Sequence, residues 1–154
     1  MVFPAAEQSL SGFSGGPPDI RRMNHHDDLR DYQMIKEEVI GEGCESEIER
    51  YRHTLANHPG NMSIYIAYVD GEPAACGRIH FHPDSKFGAL YGGQTRERYR
   101  NQGLYTQLVA ARIREAISRG IVNICIDALP TSEPILKKRG FQVVTWTQPY
   151  CLPR

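Results

Sequence analysis

Apolar residues in the first third of the chain recur at helical spacing in two segments. The first segment follows a short strand predicted at 19–23 and begins with Asn24 as its N-cap. The second follows the glycines at 41 and 43 and ends at the sequence HPGN. The apolar positions of the two segments are Leu29, Tyr32, Ile35, Val39, Ile48, Tyr51 and Leu55. The pattern predicts two amphipathic helices after an initial strand.

The middle of the chain has the two-residue alternation of β-strands. The predicted strands are 63–69, 74–82 and 87–95. The first two flank Asp70-Gly71, a dipeptide that accepts the positive φ values of a tight hairpin turn. A four-residue loop at 83–86 joins the second and third strands, and this loop length places His80 opposite Ala89.

The alternation gives these strands two faces of different character. One face is apolar and is predicted to be core: Ile64, Ile66, Tyr68, Ala75, Ile79, Phe81 and Leu90. The other face is predicted to line a cleft: Tyr65, Arg78, His80, His82, Ala89 and Tyr91.

The last third of the chain predicts a long helix from Asn101 to Gly120, where glycine suits the left-handed stop. Its buried stripe is Leu104, Leu108, Val109, Ile113, Ala116 and Ile117. The remaining predicted elements are a strand at 121–128, a short helix capped by Ser132 and a last strand at 141–146. Strands placed before, between and after helices predict an α/β or α+β fold.

The length of 154 residues fits one domain. Residues 1–18 contain FSGGPP and no periodicity, and they are predicted to form a flexible tail before a single domain at 19–154. Lys plus Arg equals Asp plus Glu at 18 each, which argues against nucleic acid or a membrane surface as a partner. Isolated cysteines and the absence of a signal pattern predict a cytoplasmic protein.

One histidine-rich sequence, His25-His26-Asp27-Asp28, has residue types that bind metals. Adjacent residues on a helix point in different directions, so these four do not converge on one ion. We interpret them as a solvated helix start and expect no metal.

The segment TRERYRNQGLYTQL joins a predicted strand end to a helix N-terminus. Unpaired backbone N–H groups and the helix dipole make such a place suitable for a phosphate or pyrophosphate. Gly103 would let the phosphate approach the backbone, and Arg98 and Arg100 add positive charge. An ordinary helix start with exposed arginines is the alternative on these residues alone.

RYRNQGLYTQL at 98–108, followed by PILKKRGF at 134–141, resembles two recurring segments of the GNAT superfamily of acyl-CoA-dependent N-acetyltransferases. The resemblance spans about residues 19–148 and implies a mixed, mostly antiparallel twisted sheet of about six strands flanked by four helices. Asn101 stands where glycine is common in the family, and asparagine accepts the left-handed conformation.

Acetyl-CoA is the co-substrate that this resemblance implies. Pantetheine would pair with the strand edge, and the pyrophosphate would lie on the amides of the helix start. The cofactor-binding residues expected on this basis are Gly93, Gln94, Thr95, Arg100, Asn101, Gln102, Gly103, Leu104 and Tyr105, with Ser132 as a further pantetheine contact.

The implied reaction is N-acetyl transfer to a small-molecule or protein amine by direct attack on the thioester. Ala89 lies near the position at which members of the family often carry a carboxylate that serves as the general base. Leu136 stands where many members carry a tyrosine proposed as the general acid. His80, opposite Ala89, is therefore the candidate base, Tyr105 the candidate acid and Tyr91 a candidate pocket residue.

The missing carboxylate and tyrosine favour an alternative, a non-catalytic acyl-CoA-binding sensor or assembly module. The chain end also looks shortened relative to the family's terminal strand pair, and we expect a second copy of the chain to complete the sheet edge in a homodimer.

Overall fold

The computed structural model describes residues 1–5, 10–13, 19–24, 27–41, 43–148 and 150. Six strands form one sheet in the order β1-β6-β5-β4-β3-β2. The strands are β1 Val2–Pro4, β2 Asp19–Met23, β3 Met62–Val69, β4 Glu72–Phe81, β5 Phe87–Thr95 and β6 Asn123–Ile126. Neighbouring strands are antiparallel except β5 and β6, which are parallel.

Four α-helices accompany the sheet in the described part of the chain: α1 Arg30–Ile40, α2 Glu45–Asn57, α3 Leu104–Ser118 and α4 Glu133–Lys137. Short 3₁₀ turns lie at Leu10–Phe13 and Glu97–Tyr99. The predicted mixed, mostly antiparallel sheet of six strands with four helices is confirmed.

The first helix begins later than predicted. Asn24 does not cap it; its backbone N–H instead donates to the Asp27 carboxylate in a turn ahead of the helix. Asp28 accepts the N–H of Arg30 at 2.9 Å, which satisfies a free donor at the start of α1. His25 and His26 lie outside the described residues.

Both faces of the central strands are buried, so the prediction of one core face and one cleft face is wrong. Tyr65, Ala75 and Ile79 pack in the core beneath α3, whereas Ile64 and Ile66 pack against α1 and α2. A bulge between Ala67 and Tyr68 causes this division. An unbroken hairpin at Asp70-Gly71 would pair Ile66 with Ala75, but the bulge shifts the pairing by one residue and reverses the faces.

The N-terminal segment contributes to the fold rather than forming a tail throughout. β1 pairs antiparallel with β6, Phe3 is fully buried and Phe13 packs edge-on against it. The predicted strand at 141–146 is also wrong, because β1 occupies the place beside β6 and Gln142 forms only an isolated bridge to Val2. Burial of the two phenylalanines stabilises this arrangement.

The hairpin between β4 and β5 has the predicted register, with His80 opposite Ala89 and Ile79 opposite Leu90. The register shifts beyond Arg78, so that Gly92 and Gly93 on β5 share the place opposite Gly77 on β4. Gly92 has a φ of 57°, a left-handed conformation that glycine adopts easily. This bulge marks the inner end of the candidate site.

Candidate functional site

A cleft of about 720 Å³ opens where β5 and β6 part. The two strands pair only as far as Leu90 and Ile126, after which β5 continues to Thr95. No strand of the described chain pairs with β5 on this side beyond Leu90. The free backbone edge can therefore hydrogen-bond an extended ligand.

The cleft brings together most of the site residues expected from sequence. Those that line it are Tyr91, Gly93, Gln94, Thr95, Arg100, Asn101, Gly103, Leu104, Tyr105 and Ser132. The structure places Gln102 and His80 outside the lining.

The outer end of the cleft is the start of α3. Gly103 is the N-cap residue with a φ of 77°, and Asn101 also has a positive φ of 62°. A Cβ at Gly103 would have nothing within 4 Å, so the backbone here faces open space. The first N–H groups of α3 have no intrahelical partner, and the helix dipole favours an anion at this end. These features fit a phosphate.

The two arginines of the basic entry differ in their contacts. Arg100 is exposed beside the helix start, and its Nε donates to the carbonyl of Thr95 at 3.3 Å. Arg98 pairs with Glu72 at 3.4 Å and lies over the ring of Tyr99. Arg100 lines the cleft and is therefore the better placed of the two to meet a phosphate.

Tyr105 forms part of the inner wall. Its ring lies so close to Gly93 that a Cβ there would be 2.7 Å from Cε2. Ser132 also lines the cleft, and its hydroxyl donates to the carbonyl of Leu129 at 3.2 Å. Burial raises the pKa of Tyr105, while the charge of Arg112 and the nearby Ser132 oppose that rise. The phenol therefore keeps its proton at neutral pH and can donate it.

His80 lies on the other face of the sheet from Tyr105. Its ring packs edge-on against Tyr91, with centroids 5.3 Å apart, and Tyr91 is 44% exposed in the cleft. Arg78 donates from Nε to Nε2 of His80 at 3.2 Å. Burial and the charge of Arg78 lower the pKa of His80. His80 is therefore neutral at pH 7, with one nitrogen engaged by Arg78.

A charged cluster between the sheet and the first two helices holds Arg78 in place. The guanidinium of Arg78 donates to the hydroxyl of Tyr32 at 3.2 Å and lies over the ring of Tyr51. Glu47 forms an ion pair with Arg78 at 3.6 Å and another with the buried Lys36 at 2.8 Å. Two cations thus share one carboxylate on this side of the bulge.

Arg112 was missed by the sequence analysis, which treated α3 only as an apolar stripe. Its guanidinium is buried in the cleft wall, with the residue only 1% exposed. Nη1 donates to the carbonyls of Arg78 at 3.1 Å and Tyr91 at 3.4 Å. The signal that could have found it is an arginine four residues after Leu108 on the buried helix face.

The described residues contain no group of three or more His, Cys, Asp or Glu side chains that could hold a metal ion. Among them, no helix combines the length and the apolar character needed to cross a membrane.

Solved structures with the same fold include several acetyltransferases. The aminoglycoside N-acetyltransferase AAC(6')-Iy in complex with CoA has a TM-score of 0.72 and 20% identity, covering 90% of this chain and 97% of that one. Glucosamine-6-phosphate N-acetyltransferase from Arabidopsis thaliana has a TM-score of 0.73 and 15% identity, covering 89% and 99%. A predicted acetyltransferase from Clostridium acetobutylicum with acetyl-CoA has a TM-score of 0.65 and 25% identity, covering 87% and 96%.

None of the curated protein sequences matches this chain closely enough to count as a relative. The family model described as Acetyltransferase (GNAT) family matches residues 25–141, which include β3 to β6 and the whole cleft-forming start of α3. The chain therefore belongs to the GNAT acetyltransferase family.

Proposed function

We propose that this protein transfers the acetyl group of acetyl-CoA to a primary amine by direct attack, without a covalent enzyme intermediate. One observation carries the proposal: the free edge of β5 and the open N-terminus of α3 lie along one cleft. The solved structures with CoA and acetyl-CoA support the choice of co-substrate.

The residues present fit acetyl-CoA at both ends of the cleft. Gly103 leaves the first amides of α3 open to a pyrophosphate, and Arg100 adds a positive charge beside them. The backbone from Gly93 to Thr95 offers the hydrogen bonds that pantetheine amides need. When bound, acetyl-CoA would supply the activated acetyl group.

The proton transfers are assigned to two side chains, Tyr105 and His80, and a third, Tyr91, lies beside the reacting amine. Tyr105 donates a proton to the departing sulfur, because its phenol is protonated and lines the cleft. Tyr91 borders the place of the attacking amine. His80 accepts the proton of the amine, which requires that Arg78 release Nε2.

The acceptor belongs to the class of small-molecule or protein amines. Two structural neighbours are named for the transfer of acetyl groups to aminoglycosides and to glucosamine-6-phosphate, both small molecules with amines. A small-molecule amine is therefore the first class to assay.

The alternative is a module that binds acyl-CoA without transferring the acyl group. The hydrogen bond from Arg78 to His80 favours it, because that bond occupies the nitrogen that would act as base. CoA release in the presence of an amine panel separates the two functions, since only the enzyme releases CoA in an amine-dependent way.

Acetyl-CoA binding is the first test of the proposal. A ligand that binds only the folded state adds about 2.7 kcal/mol of stability at a hundredfold excess over Kd. We expect a saturable heat in isothermal titration and a higher Tm with acetyl-CoA. No heat and an unchanged Tm at millimolar acetyl-CoA would rule out the function.

We also propose that the protein works in the cytoplasm as a homodimer. The free thiols of Cys44, Cys76 and Cys125 suit a reducing compartment. Val144 and Trp146 are exposed apolar side chains of a kind found at interfaces. Sedimentation equilibrium would give twice the chain mass for the dimer, and a single-chain mass at micromolar concentration would reject it.

A further inference from the structure

Arg112 is a buried cation without a buried anion. Among the described residues, the titratable or charged groups that act on it most strongly are Tyr105 on its own helix, Cys76 and Arg78 on β4, and Tyr32 on α1. None of these is a carboxylate. Cys76 and Tyr32 hold their protons, since burial raises the pKa of both, and Arg78 carries a further positive charge.

The hydrogen bonds of Arg112 all go to neutral carbonyls. Nε donates to the carbonyl of Leu108 at 3.0 Å. Nη1 donates to the carbonyls of Arg78 on β4 and Tyr91 on β5, and so links the two strands at the bulge. Nη2 is buried and finds no hydrogen-bond partner among the described residues. The structure makes room for this arrangement at Gly77, where a Cβ would lie 2.8 Å from the guanidinium carbon.

An unpaired buried charge is destabilising unless an anion or strong hydrogen bonds compensate it. Burial lowers the pKa of Arg112 to about 10, which still leaves the side chain charged at pH 7. The position of this charge in the cleft wall, beside Tyr105, makes a bound ligand the natural source of the missing anion.

We infer that Arg112 supplies the positive charge that stabilises the sulfur anion formed when the C–S bond of the thioester breaks. This inference rests on the proposed acetyl transfer. In that reaction the amine nitrogen forms a bond to the carbonyl carbon, and the electron pair of the C–S bond passes to sulfur. Sulfur then takes a proton from Tyr105 and the amine gives one proton to His80, after which His80 releases a proton to solvent and Tyr105 regains one. Arg112 favours the negative sulfur before that proton arrives.

The inference can be tested on binding alone, without a known acceptor. CoA and desulfo-CoA, which lacks the sulfur, are titrated into the protein from pH 6 to pH 9 by calorimetry, a range in which Arg112 stays mostly charged. A simple thiol has a pKa of about 8.5, and a cation within reach lowers such a value by about 1 to 3 units. The affinity of CoA relative to desulfo-CoA should therefore rise by about 10- to 100-fold over this range, since each unit is a factor of ten.

Substitutions test whether Arg112 causes this rise in the relative affinity for CoA. Arg112→Met, which keeps the length of the stem and removes the charge, should abolish most of the rise. Arg114→Met is the matched control, because Arg114 is exposed on the same helix, and it should leave the rise unchanged. Arg112→Gln replaces Arg112→Met if the latter does not fold.

The outcomes separate this inference from the proposed function. If neither CoA nor desulfo-CoA binds, the proposed function fails first. If both bind with a ratio of affinities that stays flat between pH 6 and pH 9, acetyl-CoA binding stands and the role of Arg112 is rejected. The role is rejected equally if the full rise persists in Arg112→Met, because the guanidinium would then serve only to tether the carbonyls of the bulge.

Discussion

Arg78 donates a hydrogen bond from Nε to Nε2 of His80 at 3.2 Å, within the same strand. A neutral imidazole has one donor and one acceptor nitrogen, so this bond assigns the proton to Nδ1. Arg78 also contributes a positive charge that disfavours the imidazolium. The pair therefore fixes both the tautomer and the charge of the histidine nearest to Tyr91.

His80→Ala should lower the acetylation rate by about 10² to 10⁴ if His80 is the direct base. Affinity for acetyl-CoA should change little, because His80 does not line the cleft. His82→Ala is the control, since His82 is exposed and its Nδ1 contacts the carbonyl of Pro83. The effect of both substitutions is measured as the steady-state rate of acetylation of an amine that the parent protein acetylates. Full activity in His80→Ala would remove His80 from the mechanism.

The pH profile should reflect the influence of Arg78 on His80. A base works when deprotonated, so activity rises as pH increases through its pKa, and this limb should lie below pH 6.5 because that pKa is lowered. Arg78→Met removes a positive neighbour and should move the limb to higher pH. Arg98→Met, which removes an exposed arginine paired with Glu72, should leave the limb in place. A limb that does not move in Arg78→Met would mean that another group titrates.

Gly103→Val should weaken acetyl-CoA binding by about tenfold or more, because a branched side chain would stand where the phosphate meets the backbone. The positive φ of 77° adds a strain of about 1 to 2 kcal/mol. Gly120→Val provides a matched control at the other end of α3, with a φ of 74° and equally open space. The Tm should fall by a similar amount in both variants, and only Gly103→Val should lose acetyl-CoA binding in calorimetry. Equal binding in the two variants would place the phosphate elsewhere.

Gly93→Ala should displace the ring of Tyr105, because the added Cβ would lie 2.7 Å from Cε2. We expect the acetylation rate to fall in the single variant. In a Tyr105→Ala background the same change should cost little more, since the clash is gone. A double-mutant cycle on the rate measures this coupling. Additive losses would show that Gly93 acts through the strand edge and not through Tyr105.

Local patterns were sufficient for several parts of the site. The four-residue loop fixed the pairing of His80 with Ala89, because turn length sets register within one hairpin. The glycine at 103 and the basic sequence before it placed the start of α3 to within three residues, at Asn101 instead of the observed Leu104, since helix N-termini depend on nearby residues. The residues proposed to bind the cofactor, apart from Gln102, line one cleft.

The bulges could not be predicted from local patterns, because they depend on contacts between strands. Nothing in the alternation of β3 and β4 signals the irregularity at which Ala67 pairs with Ala75 but Tyr68 pairs with Pro73. It leaves Ile64, Ile66 and Tyr68 on one face of the sheet and Ala75 and Ile79 on the other. The pairing of β1 with β6 likewise joins residues more than a hundred positions apart. Such pairings form because they bury side chains such as Phe3, and sequence periodicity records burial but not the partner.

The sequence by itself determined the family motifs, the main helices and strands, and the order of the elements along the chain. Only the tertiary structure decided which side chains meet: Tyr105 turned onto Gly93, Arg78 bonded to His80, and Arg112 buried at the bulge with Nη2 lacking a partner in the described chain. The physical reason is that secondary structure follows from neighbouring residues, whereas the charge and proton state of a side chain depend on groups that only folding brings within a few ångströms.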